Sequence, residues 1–197
     1  MITVIFSTYN GGERLQRTLD SMSHARSPKG GWRLIAVDNR STDATPQVLR
    51  SFEGRLPIEI LHEPKPGKNH ALNRAIEHAL PGNPDIFVFC DDDVLVEENW
   101  LEAWRAVVDA HPEFDAFAGL TKPAWPVEPP EWLLRHPHLG SLMSIHRGVQ
   151  EGPCNPRLMH GTNMALRATL SKEDGKWLVF DVAPINEIGR ASCRERV

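Results

Sequence analysis

Three consecutive aspartates, Asp91, Asp92 and Asp93, follow the apolar run from Asp85 to Cys90. At an effective dielectric of about 20, such adjacent carboxylates repel one another by a few kcal/mol unless a cation or solvent offsets the charge. If strand alternation continues through them, Asp91 and Asp93 project to one face and Asp92 to the other. Two hard oxygen ligands on one face suit Mg2+ or Mn2+, whose shell is then completed by water and substrate phosphates. The competing reading is a solvated acidic turn near the start of the next helix. Other polar residues also follow apolar runs: Thr8-Tyr9-Asn10, Asp38-Asn39 and Glu63. Ligands of open α/β sheets sit beyond the carboxyl ends of the strands, so these positions converge on one rim. Asp38 taken by itself reads first as part of a turn and helix cap. Lys68, with Asn73, opens a helix, where a cation reaches a phosphate or is merely solvated.

The elements that would carry these residues alternate regularly. Ile2 to Ser7 reads as a strand, and Leu15, Thr18, Leu19 and Met22 recur at helical spacing after it. Trp32 to Val37 is a second strand, and Ser41-Thr42-Asp43 offers caps to a helix carrying Val48, Leu49 and Phe52. Ile58 to Leu61 is a third strand, and Ala71, Leu72, Ala75, Ile76 and Ala79 line one face of a third helix. Asp85 to Cys90 is almost unbroken in its apolarity, as strands covered on both faces are, and precedes a helix with Trp100, Leu101, Trp104, Val107 and Val108 inward. A fifth strand is expected over Asp115 to Leu120. Pro123, Pro126, Pro129, Pro130 and Pro137 then mark an irregular loop in which Trp125 and Trp132 pack onto the sheet or face an acceptor. Four strand and helix units predict an α/β fold with a mostly parallel sheet and helices on both faces.

Taken in order, five segments resemble the family 2 glycosyltransferases of the GT-A (Rossmann-like) fold. They are Ser7 to Asn10, Val37 to Asp43, Lys68 to Asn73, Asp91 to Asp93, and Gly161-Thr162-Asn163-Met164-Ala165-Leu166-Arg167. The resemblance implies transfer of a sugar from a nucleotide-diphosphate sugar to a hydroxyl on a saccharide, lipid-linked or other acceptor, typically in the making of cell-envelope polysaccharide. It places Thr8, Tyr9, Asn10, Asp38, Asn39, Lys68, Asn73, Asp91 and Asp92 near the nucleotide sugar. Asp91 and Asp93 align with the metal-binding D-x-D, and Gly161, Thr162 and Asn163 fall on the acceptor side. Inverting transfer needs a general base, normally a carboxylate within hydrogen-bond reach of the acceptor hydroxyl. The acidic motif expected to supply it is not found; Glu173, Asp174, Asp181 and Glu187 are candidates by chemistry alone. The division expected is a nucleotide-sugar-binding half over 1–120, the start of an acceptor-binding half over 121–186, and a non-native or disordered tail over 187–197. A chain truncated in this way would bind donor without turning it over. The alternatives are an inactive nucleotide-binding fragment and, less well supported by Asn10-Gly11-Gly12, a sugar-phosphate nucleotidyltransferase.

Composition narrows the classes further. Hydrophobic residues make up 41% and charged residues 24% of the chain, which are globular values that exclude disorder, collagen and coiled coil. A net charge of -4 provides no basic field for a phosphate backbone, so nucleic acid is not an expected partner. Three cysteines without metal or disulfide spacing fit a reducing compartment. With no leader-like or membrane-length apolar run, the expectation is a cytoplasmic protein, compatible with peripheral attachment at the inner face of a membrane.

Overall fold

The computed structural model describes residues 1–125, 127–142, 152–153 and 159–169. Its centre is a six-stranded sheet: β1 (Ile2–Thr8), β2 (Trp32–Asp38), β3 (Ile58–His62), β4 (Ile86–Cys90), β5 (Ala116–Ala118) and β6 (Asn163–Arg167), in the spatial order β3-β2-β1-β4-β6-β5. The first four strands are mutually parallel where they pair, and β6 runs antiparallel between β4 and β5. The α/β class and the mostly parallel sheet are thus as expected, with a late antiparallel strand inserted at one side.

Strand alternation builds two cores. On one face Val4, Phe6, Leu34, Ala36, Val88 and Cys90 pack with Leu15, Leu19 and Met22 of α1 (Gly12–Ser23), Leu49 of α2 (Thr45–Ser51), and Leu101, Trp104 and Val108 of α4 (Trp100–Ala110). On the other, Ile5, Ile35, Val37, Phe87 and Phe89 meet Ala71, Leu72, Ala75, Ile76 and Ala79 of α3 (Lys68–Ala79) together with Met164 and Leu166 of β6. Strands covered on both faces have no reason to alternate with polar residues, which explains runs such as Ile86 to Cys90. Cys90 is one of these packed groups, and burial pushes its thiol far above the ordinary range, so it acts as a small hydrophobe.

Four local expectations are corrected. Val107 is 37% exposed, because the buried stripe of α4 follows Leu101, Trp104 and Val108 and leaves position 107 on its flank. The Ser41 to Asp43 segment does not cap α2 from its N-cap position, which Ala44 occupies; Asp43 Oδ1 accepts the Thr45 N–H at 2.9 Å instead. The proline-rich segment contains two single-turn helices, α5 (Glu131–Leu134) and α6 (Leu139–Leu142). Trp132 on α5 is 68% exposed, so it does not pack onto the sheet, while Trp125 is half-buried.

Candidate nucleotide-sugar site

β1 to β4 end side by side, and the polar residues that follow them meet at one rim. Asn39 N–H donates to the Thr8 carbonyl at 2.9 Å, and Glu63 N–H donates to the Asp38 carbonyl at 3.0 Å, so the ladders extend past the strand ends. Asn10 takes a left-handed backbone (φ 51°) and its side-chain carbonyl accepts the Thr42 N–H at 2.8 Å. That leaves the neighbouring Tyr9 61% exposed at the rim. Asp38, 7% exposed, accepts the Ser41 N–H at 3.0 Å, and the His62 ring lies 3.6 Å from its other oxygen.

Asn39 is spent internally. Its amide donates to the carbonyls of Glu63 at 2.9 Å and Lys65 at 2.6 Å, and its oxygen accepts the Gly67 N–H at 2.8 Å. Glu63, also buried, accepts the Lys65 N–H at 2.7 Å. These bonds fix the turn that delivers Lys68 at the start of α3, where Gly67 has a φ of 124° that a side chain rarely adopts. Asn73 lies half-buried within the same helix.

The acidic triplet is a turn beyond β4, not a strand, so the alternation of faces does not hold; the pairing with β1 and β6 has ended by Asp91. Nor does it cap the next helix, which begins only at Trp100. Each acid has its own surroundings. Asp91 pairs with the Lys68 ammonium through Oδ1 and accepts the Thr162 hydroxyl at 2.9 Å through Oδ2. Asp92 is half-buried and accepts the Thr8 hydroxyl, while its backbone carbonyl accepts the Thr18 hydroxyl at 3.0 Å. Burial pushes the Asp92 carboxyl above the ordinary carboxylate range, with the charge of Asp93 adding to the effect and the Thr8 hydrogen bond opposing it. Asp93 is exposed.

Gly161, Thr162 and Asn163 divide in the same way. Thr162 joins the Asp91 pair, and a side chain on Gly161 would begin 3.8 Å from the Lys68 ammonium. Asn163 turns elsewhere: its oxygen accepts the Trp100 indole N–H at 3.1 Å and its amide donates to the Leu120 carbonyl at 3.0 Å, tying α4 and the end of β5 to β6. Among the residues that sequence reasoning misses, Thr45 matters most. Its hydroxyl accepts the Gly11 and Gly12 N–H groups at 2.9 and 3.2 Å. The acidic candidates Glu173, Asp174, Asp181 and Glu187 lie outside the described residues.

Among the described residues, no group of three or more His, Cys, Asp or Glu side chains is arranged to hold a metal ion. The carboxylates of Asp91 and Asp93 are hard oxygen donors, the ligand type that Mg2+ and Mn2+ take.

Sheet order and rim together define an α/β protein of the Rossmann-like GT-A kind. The chain belongs to glycosyl transferase family 2, whose pattern it matches over residues 3–175. Glycosyltransferase AglE of Haloferax volcanii is 32% identical over 103 residues, which cover 51% of this chain and 33% of that protein. Staphylococcus aureus TarS in complex with UDP-GlcNAc superposes with a TM-score of 0.62 at 20% identity over 89% of this chain and 48% of that one. The mannosyltransferase PcManGT from Pyrobaculum calidifontis, in complex with GDP-Man and Mn2+, gives a TM-score of 0.64 at 23% identity over 89% of this chain and 46% of that one. The chain therefore spans a third of that curated relative and less than half of these solved chains.

Proposed function

We propose that this chain binds a nucleotide-diphosphate sugar at the carboxyl rim of β1 to β4 and supports inverting transfer of the sugar to an acceptor hydroxyl, with Mg2+ or Mn2+ as cofactor. The observation that carries the reading is the convergence on Asp91, where Lys68 from α3 and Thr162 from the start of β6 reach one carboxylate beside the Thr8–Asp92 contact. Groups from four separate parts of the chain gather around one strand end, as a phosphate-bearing ligand requires.

Asp91 and Asp93 would hold the divalent ion. When bound, such an ion neutralises charge that grows on the diphosphate leaving group. Lys68 supplies a second positive charge toward the same oxygens, and its pairing with Asp91 keeps the ammonium at the rim. Exposed Tyr9 and buried Asp38 would lie beside the base and ribose. Support for the donor class comes from solved relatives whose complexes hold UDP-GlcNAc and GDP-Man.

The nucleotidyltransferase alternative needs backbone amides free to cradle a triphosphate after β1. Here the Asn10 N–H is taken by the Ser41 hydroxyl at 3.0 Å, and those of Gly11 and Gly12 by Thr45. That pairing favours the glycosyltransferase.

Calorimetry with UDP, GDP and dTDP, with and without Mn2+, tests the proposal. At least one diphosphate should bind about ten-fold or more tightly with the metal, and Asp93→Ala should remove that gain. Equal affinity with and without Mn2+, in wild type and variant alike, would overturn it.

A further inference from the structure

The acidic triplet holds one residue whose carboxylate faces the fold. Asp92 receives the Thr8 hydroxyl on its side chain and the Thr18 hydroxyl on its backbone, so the turn is fastened at once to the end of β1 and to α1. Thr8 and Thr18 are fully or almost fully buried, which leaves these hydroxyls no competing water. The fastening is close-packed: a side chain at Gly11 would begin 2.6 Å from Thr8 Oγ1 and 3.0 Å from Asp92 Oδ2. Asp91, by contrast, meets Lys68 and Thr162, and Asp93 meets solvent.

We propose that Asp92 is a positioning residue: it takes no part in gripping donor or metal, and instead anchors the acidic turn to Thr8 and α1 so that Asp91 and Asp93 stand at a fixed place on the rim. The inference rests on the donor reading above, because the turn is set for a diphosphate. Side chains that grip a charged ligand must be held to within about half an ångström, and supporting hydrogen bonds do this. What Asp92 supplies is a hydrogen-bond acceptor at one point, not a charge.

That distinction sets the test. Affinity for UDP and GDP in the presence of Mn2+ is measured by calorimetry on the whole chain, for wild type, Asp92→Asn, Asp92→Ala, Thr8→Val and the Thr8→Val/Asp92→Ala double variant. Circular dichroism confirms that each is folded. Asp92→Asn keeps a carbonyl oxygen for the Thr8 hydroxyl and should bind within about three-fold of wild type. Asp92→Ala and Thr8→Val should each weaken binding about ten-fold, and the double variant should be no worse than the poorer single one, since both break the same bond. If Asp92→Asn is as damaging as Asp92→Ala while Thr8→Val is harmless, Asp92 is a ligand and the inference falls. Additive losses, or unchanged affinity in Asp92→Ala, overturn it too. A wild-type chain that binds neither diphosphate fails the donor reading itself, and the inference falls with it.

Discussion

At Gly11 the backbone φ is an ordinary −72°, so the need for glycine there is a matter of space. A methyl group would sit 2.6 Å from Thr8 Oγ1 and 2.9 Å from Leu15 Cβ, and the second of these atoms belongs to a helix that cannot swing away. Gly11→Ala should therefore cost about 1–3 kcal/mol, the usual penalty for overpacking, read as a lowered urea midpoint with unchanged slope. Asn39 makes the complementary case. Replacing it by Ala strands the Gly67 N–H and two carbonyls below the rim, a loss of about 1–3 kcal/mol, and the Gly67 amide should exchange with solvent faster than in wild type. Residue identity alone points to the polar rim, since Asp38 and the aspartates stand where strand ends are expected and Lys68 where a helix begins. It cannot separate ligands from scaffolding. Asn39 and Thr162 look equally polar in the chain, yet the first is consumed in a turn while the second reaches Asp91, a difference created by a contact spanning 71 residues.

The elements themselves are largely legible, because short apolar runs and segments of helical period take turns from β1 through α4. β6 is not: Asn-Met-Ala-Leu-Arg is built from residues without strand preference, and only its place between β4 and β5 makes it a strand. On the opposite flank, β3 is an edge strand whose Glu59 bonds the Arg33 guanidinium at 3.2 Å and the His78 ring at 2.7 Å. Burial raises the Glu59 carboxyl, but these two partners outweigh it and hold the group below the ordinary glutamate range. A depressed carboxylate stabilises the fold above its unfolded value of about 4.3, and that contribution fades as pH falls through the lower folded value. Glu59→Gln should consequently be less stable than wild type at about pH 6, by under about 1 kcal/mol given the solvent screening of this half-exposed group, and the difference should be smaller at about pH 4. Urea unfolding at both pH values measures this.

For the molecule as a whole, the two cores lie on opposite faces of one sheet, so they are separate in contact yet joined through the same strands. Leu19→Ala on α1 and Ile76→Ala on α3 should each cost about 2–5 kcal/mol and add to within about 0.5 kcal/mol, because they lie in different cores. A single unfolding transition should persist in the singles; two transitions would mean that the faces melt independently. No helix among the described residues is long and apolar enough to cross a membrane.

The insertion of β6 has a consequence for biosynthesis. β4 can pair with β1 once residue 90 has emerged from the ribosome, but its other side must wait for residues 163–167. For the time needed to translate those intervening codons, a five-residue, wholly apolar strand presents a bare row of amide and carbonyl groups. Nascent chains crowded on one messenger would be most prone to stick together in that interval, and a chaperone that shields strand edges would act there.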